Sequence, residues 1–175
     1  MLSQLPEQAD PLRLCEQGKD FAGRVALREL ARLAPLLTSS EGEAAFTLGF
    51  DTDGEGRARI RGHVEAVLWL RCQRCMQPMS FAVDADFLLS PVHGSGEAES
   101  LPQEYDPLLL EDRLLHPVDL VEDELILAIP PAPRHPEVEC GLDLAALSKP
   151  DSDDAAEIEK ESPFAVLRQM KRDDD

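Results

Sequence analysis

GRARIRGHVEAVLWLRCQRCMQPMSFAVDADFLLSP, residues 56–91, sets the architecture. From Ile60 to Leu70 every second residue is apolar or small: Ile60, Gly62, Val64, Ala66, Leu68 and Leu70. Arg57, Arg59, Arg61, His63, Glu65, Val67, Trp69 and Arg71 take the intervening places. A two-residue period marks a strand with one buried face. The period resumes after the cysteines with Phe81, Val83, Ala85, Phe87 and Leu89. The reading is two long strands joined at Cys72-Gln-Arg-Cys75.

A Cys-x-x-Cys in a tight turn presents two thiolates to one metal ion. The same tetrapeptide between a strand and a helix would suggest thioredoxin-like redox chemistry. A strand follows here and no βαβ pattern surrounds it, which disfavours the redox reading. One Cys-x-x-Cys is half of a zinc site. The other half is available in Arg134-His-Pro-Glu-Val-Glu-Cys140, where His135 and Cys140 complete a four-ligand set. The alternative is three unrelated free cysteines. Cys15 looks like a filler in an extended entry.

Working toward the N-terminus, Asp51–Gly56 is a hairpin loop and Ala44–Phe50 a strand, so the sheet begins as an antiparallel meander. The loop lacks the spacing and terminal glutamate of a calcium loop. Phe21–Leu27 is a short strand turning at Gly23, and residues 5–14 an extended entry. Leu27, Leu30, Ala31, Leu33 and Leu37 predict an amphipathic helix of two to three turns, disturbed by Pro35.

Toward the C-terminus, 93–100 is a flexible loop and 105–112 contains a short strand. His116–Ile129 is the clearest helix, with Pro117 in its first turn and Asp119, Glu122 and Asp123 on its polar side. Val118, Val121, Leu125 and Ile129 form its apolar stripe. Residues 149–161 are too acidic to pack and read as a disordered linker. Ser162-Pro-Phe-Ala-Val-Leu then opens a short docking helix or motif over 162–172, with Phe164 and Leu167 on its apolar face. The expected organisation is one α+β domain, 1–148, built on an antiparallel, curved or barrel-like sheet with a few packed helices, followed by that acidic tail.

The chain has 175 residues and a formal net charge of −18, most of it C-terminal: residues 1–96 carry −3 and residues 97–175 carry −15. Such a chain does not coat nucleic acid nonspecifically. It favours basic partners, of which ribosomal proteins are an abundant class. No 18-residue apolar run and no signal-like start occur, so the expectation is a cytoplasmic protein without a membrane span. Thiols stay reduced in that compartment.

Arg57, Arg59, Arg61, Trp69, Arg71 and Arg74 supply the only basic surface with an aromatic, the combination a nucleic-acid-facing sheet needs. The bland reading is a strand face balanced by Glu65, Asp84 and Asp86 across the sheet. Glu122, Asp123 and Glu124 offer an acidic partner-binding surface or, alternatively, carboxylates for a metal-dependent RNA-processing enzyme. Neighbours on a helix point about 100° apart, which argues against the second use.

Leu70-Arg-Cys-Gln-Arg-Cys-Met-Gln-Pro-Met, Phe87-Leu-Leu-Ser-Pro-Val, Asp119-Leu-Val-Glu-Asp-Glu-Leu-Ile-Leu-Ala-Ile-Pro and the closing Pro-Phe-Ala-Val-Leu together resemble the bacterial YceD family, the large ribosomal RNA subunit accumulation proteins. The resemblance implies a non-catalytic ribosome-biogenesis factor supporting synthesis, processing or stability of 23S ribosomal RNA. It implies a ribosomal protein or rRNA-processing factor as partner and a link to a small zinc-binding protein of the large subunit. No membrane and no small-molecule substrate are expected. Some family members carry further cysteines after the Pro-rich loop, where this chain has Cys140 alone with His135 nearby. One structural zinc is the expected cofactor, and the remaining alternative is a purely structural zinc module that binds a ribosomal protein.

Overall fold

β1 (Lys19–Ala26), β2 (Glu43–Thr52), β3 (Ala58–Arg71) and β4 (Pro78–Val92) run as an antiparallel meander, and β5 (Asp106–Leu109) adds parallel to β4. Their spatial order is β1-β2-β3-β4-β5. The sheet is therefore mixed and does not close on itself, which replaces the barrel-like expectation. The parallel step needs a crossover, and residues 93–105 provide it with the short helix α2 (Ser95–Glu99) where a loop was expected. This computed structural model describes residues 5–110, 112–136 and Cys140; the expected linker 149–161 and motif 162–172 lie outside the described residues.

The period-2 reading of β3 holds along its length. Ile60, Gly62, Val64, Ala66, Leu68 and Leu70 are buried, and each position between them is exposed or half-buried. Removing one such leucine or valine from water contributes about 1.5–3 kcal/mol. Gly62 is required by its cross-strand partner: the ring of Phe87 lies over it, and a Cβ there would fall 1.9 Å from the ring. Prolines sit where a missing N–H costs nothing. Pro78 opens β4, Pro91 lies beyond the last β3 partner at Leu89, and Pro107 is on the edge strand β5.

Two N-terminal expectations fail for physical reasons. The entry is a helix, α1 (Pro11–Gln17): Asp10 accepts from the N–H groups of Leu12 and Arg13, Pro11 takes the first position, and Gly18 ends it at φ 58°. Cys15 is thus a buried helical residue whose thiol donates to the Arg59 carbonyl at 3.4 Å. The 27–37 segment is two short 3-10 turns, Leu27–Glu29 and Ala34–Leu36. Leu27, Leu30 and Leu33 are its fully buried residues, a three-residue spacing that suits the tighter winding, while Ala31 is exposed.

The last helix among the described residues, α3 (Pro117–Ala128), begins where expected, after the N-cap position His116. It packs on β3 and β4. Its buried side is Leu120, Val121 and Leu125, with Val118 and Ile129 half-covered. Glu122 belongs to that buried side rather than to the polar stripe.

Candidate functional site

The turn between β3 and β4 is closed by its own backbone. The Cys72 N–H donates to the Gln77 carbonyl at 2.9 Å, and the Met76 N–H donates to the Cys72 carbonyl at 2.9 Å. Met76 accommodates the tightness of the turn with a left-handed conformation, φ 62°. The N–H of Gln73 reaches across to the Pro133 carbonyl at 2.8 Å, which brings the segment after α3 onto the turn. Cys72, Cys75, His135 and Cys140 consequently place one donor atom each within 4.8 Å of one another. These residues can hold a metal ion.

The donor set suits zinc in particular. Zinc–sulfur and zinc–nitrogen bonds of about 2.3 and 2.0 Å put tetrahedral ligands roughly 3.5–3.8 Å apart. Cys75 Sγ lies 3.4 Å from His135 Nδ1. His135 Nε2 is 3.2 Å from the Pro78 carbonyl, which accepts its proton and leaves the Nδ1 lone pair facing the sulfurs. Burial pushes the Cys72 thiol up, but the backbone N–H groups around it and the His135 side chain outweigh this and hold it at about 5. Cys75 is pushed up: its own backbone contact at Gln77 works the other way, but burial and the neighbouring sulfurs prevail. His135 is raised, chiefly by Cys72. Crowded sulfurs that compete for protons are the arrangement a cation relieves.

Arg74 sits in this cluster and not on the open strand face. Its Nε donates to Cys140 Sγ at 3.0 Å and its Nη2 to the His135 carbonyl at 3.1 Å. The other predicted basic residues spread along β3. Arg57 pairs with Asp53 and Glu55 and stacks over Tyr105, 5.5 Å from the ring centre. Arg59 and Arg61 share Asp51, at 2.6 and 2.7 Å. Trp69 is 41% exposed, and Arg71 is exposed beside it. The acids expected to balance the arginines instead surround His63: Asp86 at 2.8 Å, Glu65 at 3.1 Å and Asp84 at 3.9 Å.

The acidic triplet on α3 divides. Glu122, 5% exposed, accepts from the backbone N–H groups of Arg32 and Leu33 at 2.7 and 3.0 Å and from Arg32 Nε at 3.0 Å. Asp123 pairs with the same guanidinium. Both therefore fasten the 27–37 segment: the N–H groups of Arg32 and Leu33 lie between its two 3-10 turns and take Glu122 as their acceptor. Glu124 faces elsewhere, toward Asp106, and is held above the usual carboxylate range by burial and then by the charges of Asp106 and Asp123. Phe164 and Leu167 lie outside the described residues.

Residues 60–171 match the family described as large ribosomal RNA subunit accumulation protein YceD. The chain belongs to the YceD family. A large ribosomal RNA subunit accumulation protein YceD of Haemophilus influenzae is 33% identical over 172 residues, covering 96% of this chain and 97% of the relative. No solved structure matches. The YceD match begins at the first buried residue of β3 and takes in the cysteine turn, α3 and the His135–Cys140 segment.

Proposed function

We propose that this YceD protein is a non-catalytic factor that supports accumulation of the 23S ribosomal RNA of the large subunit, in the cytoplasm, through contact with a basic ribosomal protein or a processing factor. The observation that carries the reading is the full-length match to a relative named for accumulation of large-subunit ribosomal RNA. The absence of a catalytic role is supported by the use made of Glu122 and Asp123, which are engaged in holding Arg32 and Leu33. Two carboxylates engaged in this way do not converge on a metal with carboxylates from other elements. No helix among the described residues is long and apolar enough to cross a membrane.

A structural zinc ion at Cys72, Cys75, His135 and Cys140 is part of the proposal. When bound, the ion cross-links the β3–β4 turn to the segment after α3 and stabilises the folded chain. The chain's own residues hold the site ready: Pro78 fixes the imidazole, Pro133 fixes the turn, and Arg74 spans from Cys140 to the His135 carbonyl.

The test is depletion of the protein in cells and measurement of the 23S to 16S ribosomal RNA ratio. The ratio falls on depletion and is restored by the wild-type gene. A Glu122→Gln copy loses about 2–3 kcal/mol of stability from weakened buried hydrogen bonds yet restores the ratio in proportion to the folded protein present. An unchanged ratio on depletion would sink the proposal. Normal folding of Glu122→Gln with complete loss of function would favour the enzyme reading.

A further inference from the structure

β5 ends the sheet, and its outer edge pairs with no strand among the described residues. The Leu110 N–H donates to the Val92 carbonyl of β4 at 2.9 Å. Peptide groups alternate in direction along a strand, so the N–H and C=O of Leu109 point the other way, along the open edge. Pro107, the other outward-pointing position, has no N–H to offer. The same register sets the faces. Asp106 pairs with Leu89, which pairs with Ile60 on the buried face of β3, so Leu108 and, just beyond the strand, Leu110 lie on that face too. Leu109 lies on the opposite face and is 58% exposed. On the buried face α3 packs over β3 and β4, and a groove of about 510 Å³ is left between its first turns and β5. Leu108, Leu110, Leu114 and Leu120 run along it, with Leu114 50% exposed. The charged residues at the groove are Arg32, Asp112, Asp119 and Asp123, and His116 is hydrogen-bonded to Gln8. Arg32 is matched by Glu122 and Asp123, so Asp112 and Asp119 leave the groove negative.

We propose that the β5 edge and this groove together take an extended segment of a basic partner protein, in which an apolar residue has lysine or arginine two positions away on the same face. The segment adds a strand to the sheet through the Leu109 peptide group. Side chains of an added strand alternate between faces, so every second one falls into the groove. An apolar residue there packs among the four leucines. A basic residue two positions on lays its methylene stem along them and carries its charge to Asp112 or Asp119. Pro107 shortens the bonding edge, so the backbone alone gives little affinity and the groove side chains select the segment. A second copy of this chain is the wrong occupant, because two chains of net charge −18 repel. The inference rests on the proposed function in taking the partner to be a basic protein, and it assigns the surface that the partner uses.

The experiment titrates the full-length protein with a fluorescein-labelled peptide, TRTVTKTVTR, whose valines and basic residues share one face of a strand. An isomer, VRTTTKTTVR, has the same composition with the valines on the other face. Both are read by anisotropy at about 0.15 M salt, where attraction to distant charges is screened. The first peptide binds about fivefold more tightly than the isomer. Leu114→Lys weakens its binding about tenfold, because the new charge sits among the leucines and repels the basic residues. Leu36→Lys adds the same charge at an equally exposed leucine outside the groove and changes affinity by less than about twofold. Leu109→Pro removes the outward N–H without touching the bonds to β4 and weakens binding about fivefold. Thermal melting shows which variants are folded, and amide shifts in the wild type need no variant: they move at 108–110, 114 and 119–120. Shifts centred elsewhere, equal weakening by the two lysine variants, equal binding of the two peptides or no binding at all would each overturn the proposal. So would sedimentation showing a dimer that Leu114→Lys dissociates, which would give the groove to a second copy. These outcomes are separate from the ribosomal RNA ratio on depletion, which tests the proposed function alone.

Discussion

The two ends of β3 face the same mechanical task and use different chemistry. At its start, the turn after β2 must be tied to the distant residue Tyr105. At its end, the cysteine turn must be tied to the distant segment 133–140. The first end uses one carboxylate. Asp53 accepts from the N–H groups of Glu55 and Arg57, from Arg57 Nη1 and from the Tyr105 hydroxyl, the last at 3.0 Å. The second end gathers three sulfurs and an imidazole around one point. A carboxylate clamp is complete in itself, because donor and acceptor charges balance within it. A sulfur clamp is complete only when a cation joins it. One end is therefore expected to be sensitive to acid, and the other, with the proposed zinc bound, to chelators.

The largest expected break in this contrast is Cys75→Ser. Purified without chelator, the wild type carries about one zinc per chain by mass spectrometry, and the variant carries none. Its melting temperature falls by roughly 10 °C, since binding free energy at a structural zinc site is folding free energy. A thiol-competent chelator lowers the wild type to the same value and leaves the variant unmoved. Retention of zinc by the variant would show that the four residues are not the ligand set.

Asp53→Asn comes next, with a loss of a few degrees that no chelator or added zinc alters. The same clamp gives the wild type an acid dependence. The Asp53 carboxyl is held below the usual range, first by the Arg57 backbone N–H, then by the Glu55 N–H, the Tyr105 hydroxyl and the Arg57 charge. A depressed folded-state value means the contribution is present above the ordinary carboxylate range and is lost as pH falls through the depressed one. Thermal melts between pH 6 and 2, about the range over which carboxylates titrate, show this loss in the wild type and less of it in Asp53→Asn. Tyr105→Phe removes only one of the four donors, so its effect is smaller, about 0.5–1 kcal/mol.

The smallest effect lies midway along the strand. His63 is raised above its ordinary 6.5 by Glu65 and then by Asp86. A raised value means the stabilisation is full below about pH 6.5 and fades as pH rises through the folded-state value. His63→Gln flattens that slope by an amount at the edge of detection, because the pairs are exposed and screened. A steep slope that survives in His63→Gln would place the titrating group elsewhere.

Residue patterns with short-range causes are legible in the chain itself. The alternation from Ile60 to Leu70 buries the residues it names, because the pleat forces successive side chains to opposite faces. Pro117 places the start of α3 for an equally local reason. Asp10-Pro-Leu carries an N-cap signal of the same local kind, and the scattered apolar residues around it conceal a helix that this signal announces. The 27–37 segment misleads because three- and four-residue spacings overlap over so short a run, and the acceptor that lets the helix lapse at Arg32 and Leu33, Glu122, is about ninety residues away.

The sequence by itself determined the long hairpin, the cysteine turn at its tip, the helix α3 and the excess of negative charge, since each depends on neighbours a few residues apart. Tertiary structure alone decided which charges meet. It put Glu122 inside, paired Arg57, Arg59 and Arg61 with Asp51 and Asp53, drew Arg74 to the sulfurs and set Asp86, Glu65 and Asp84 around His63. The reason is range: a side chain's electrostatic partners are set by strand register and by crossovers such as the one carrying α2. No local periodicity records where those bring two distant residues together.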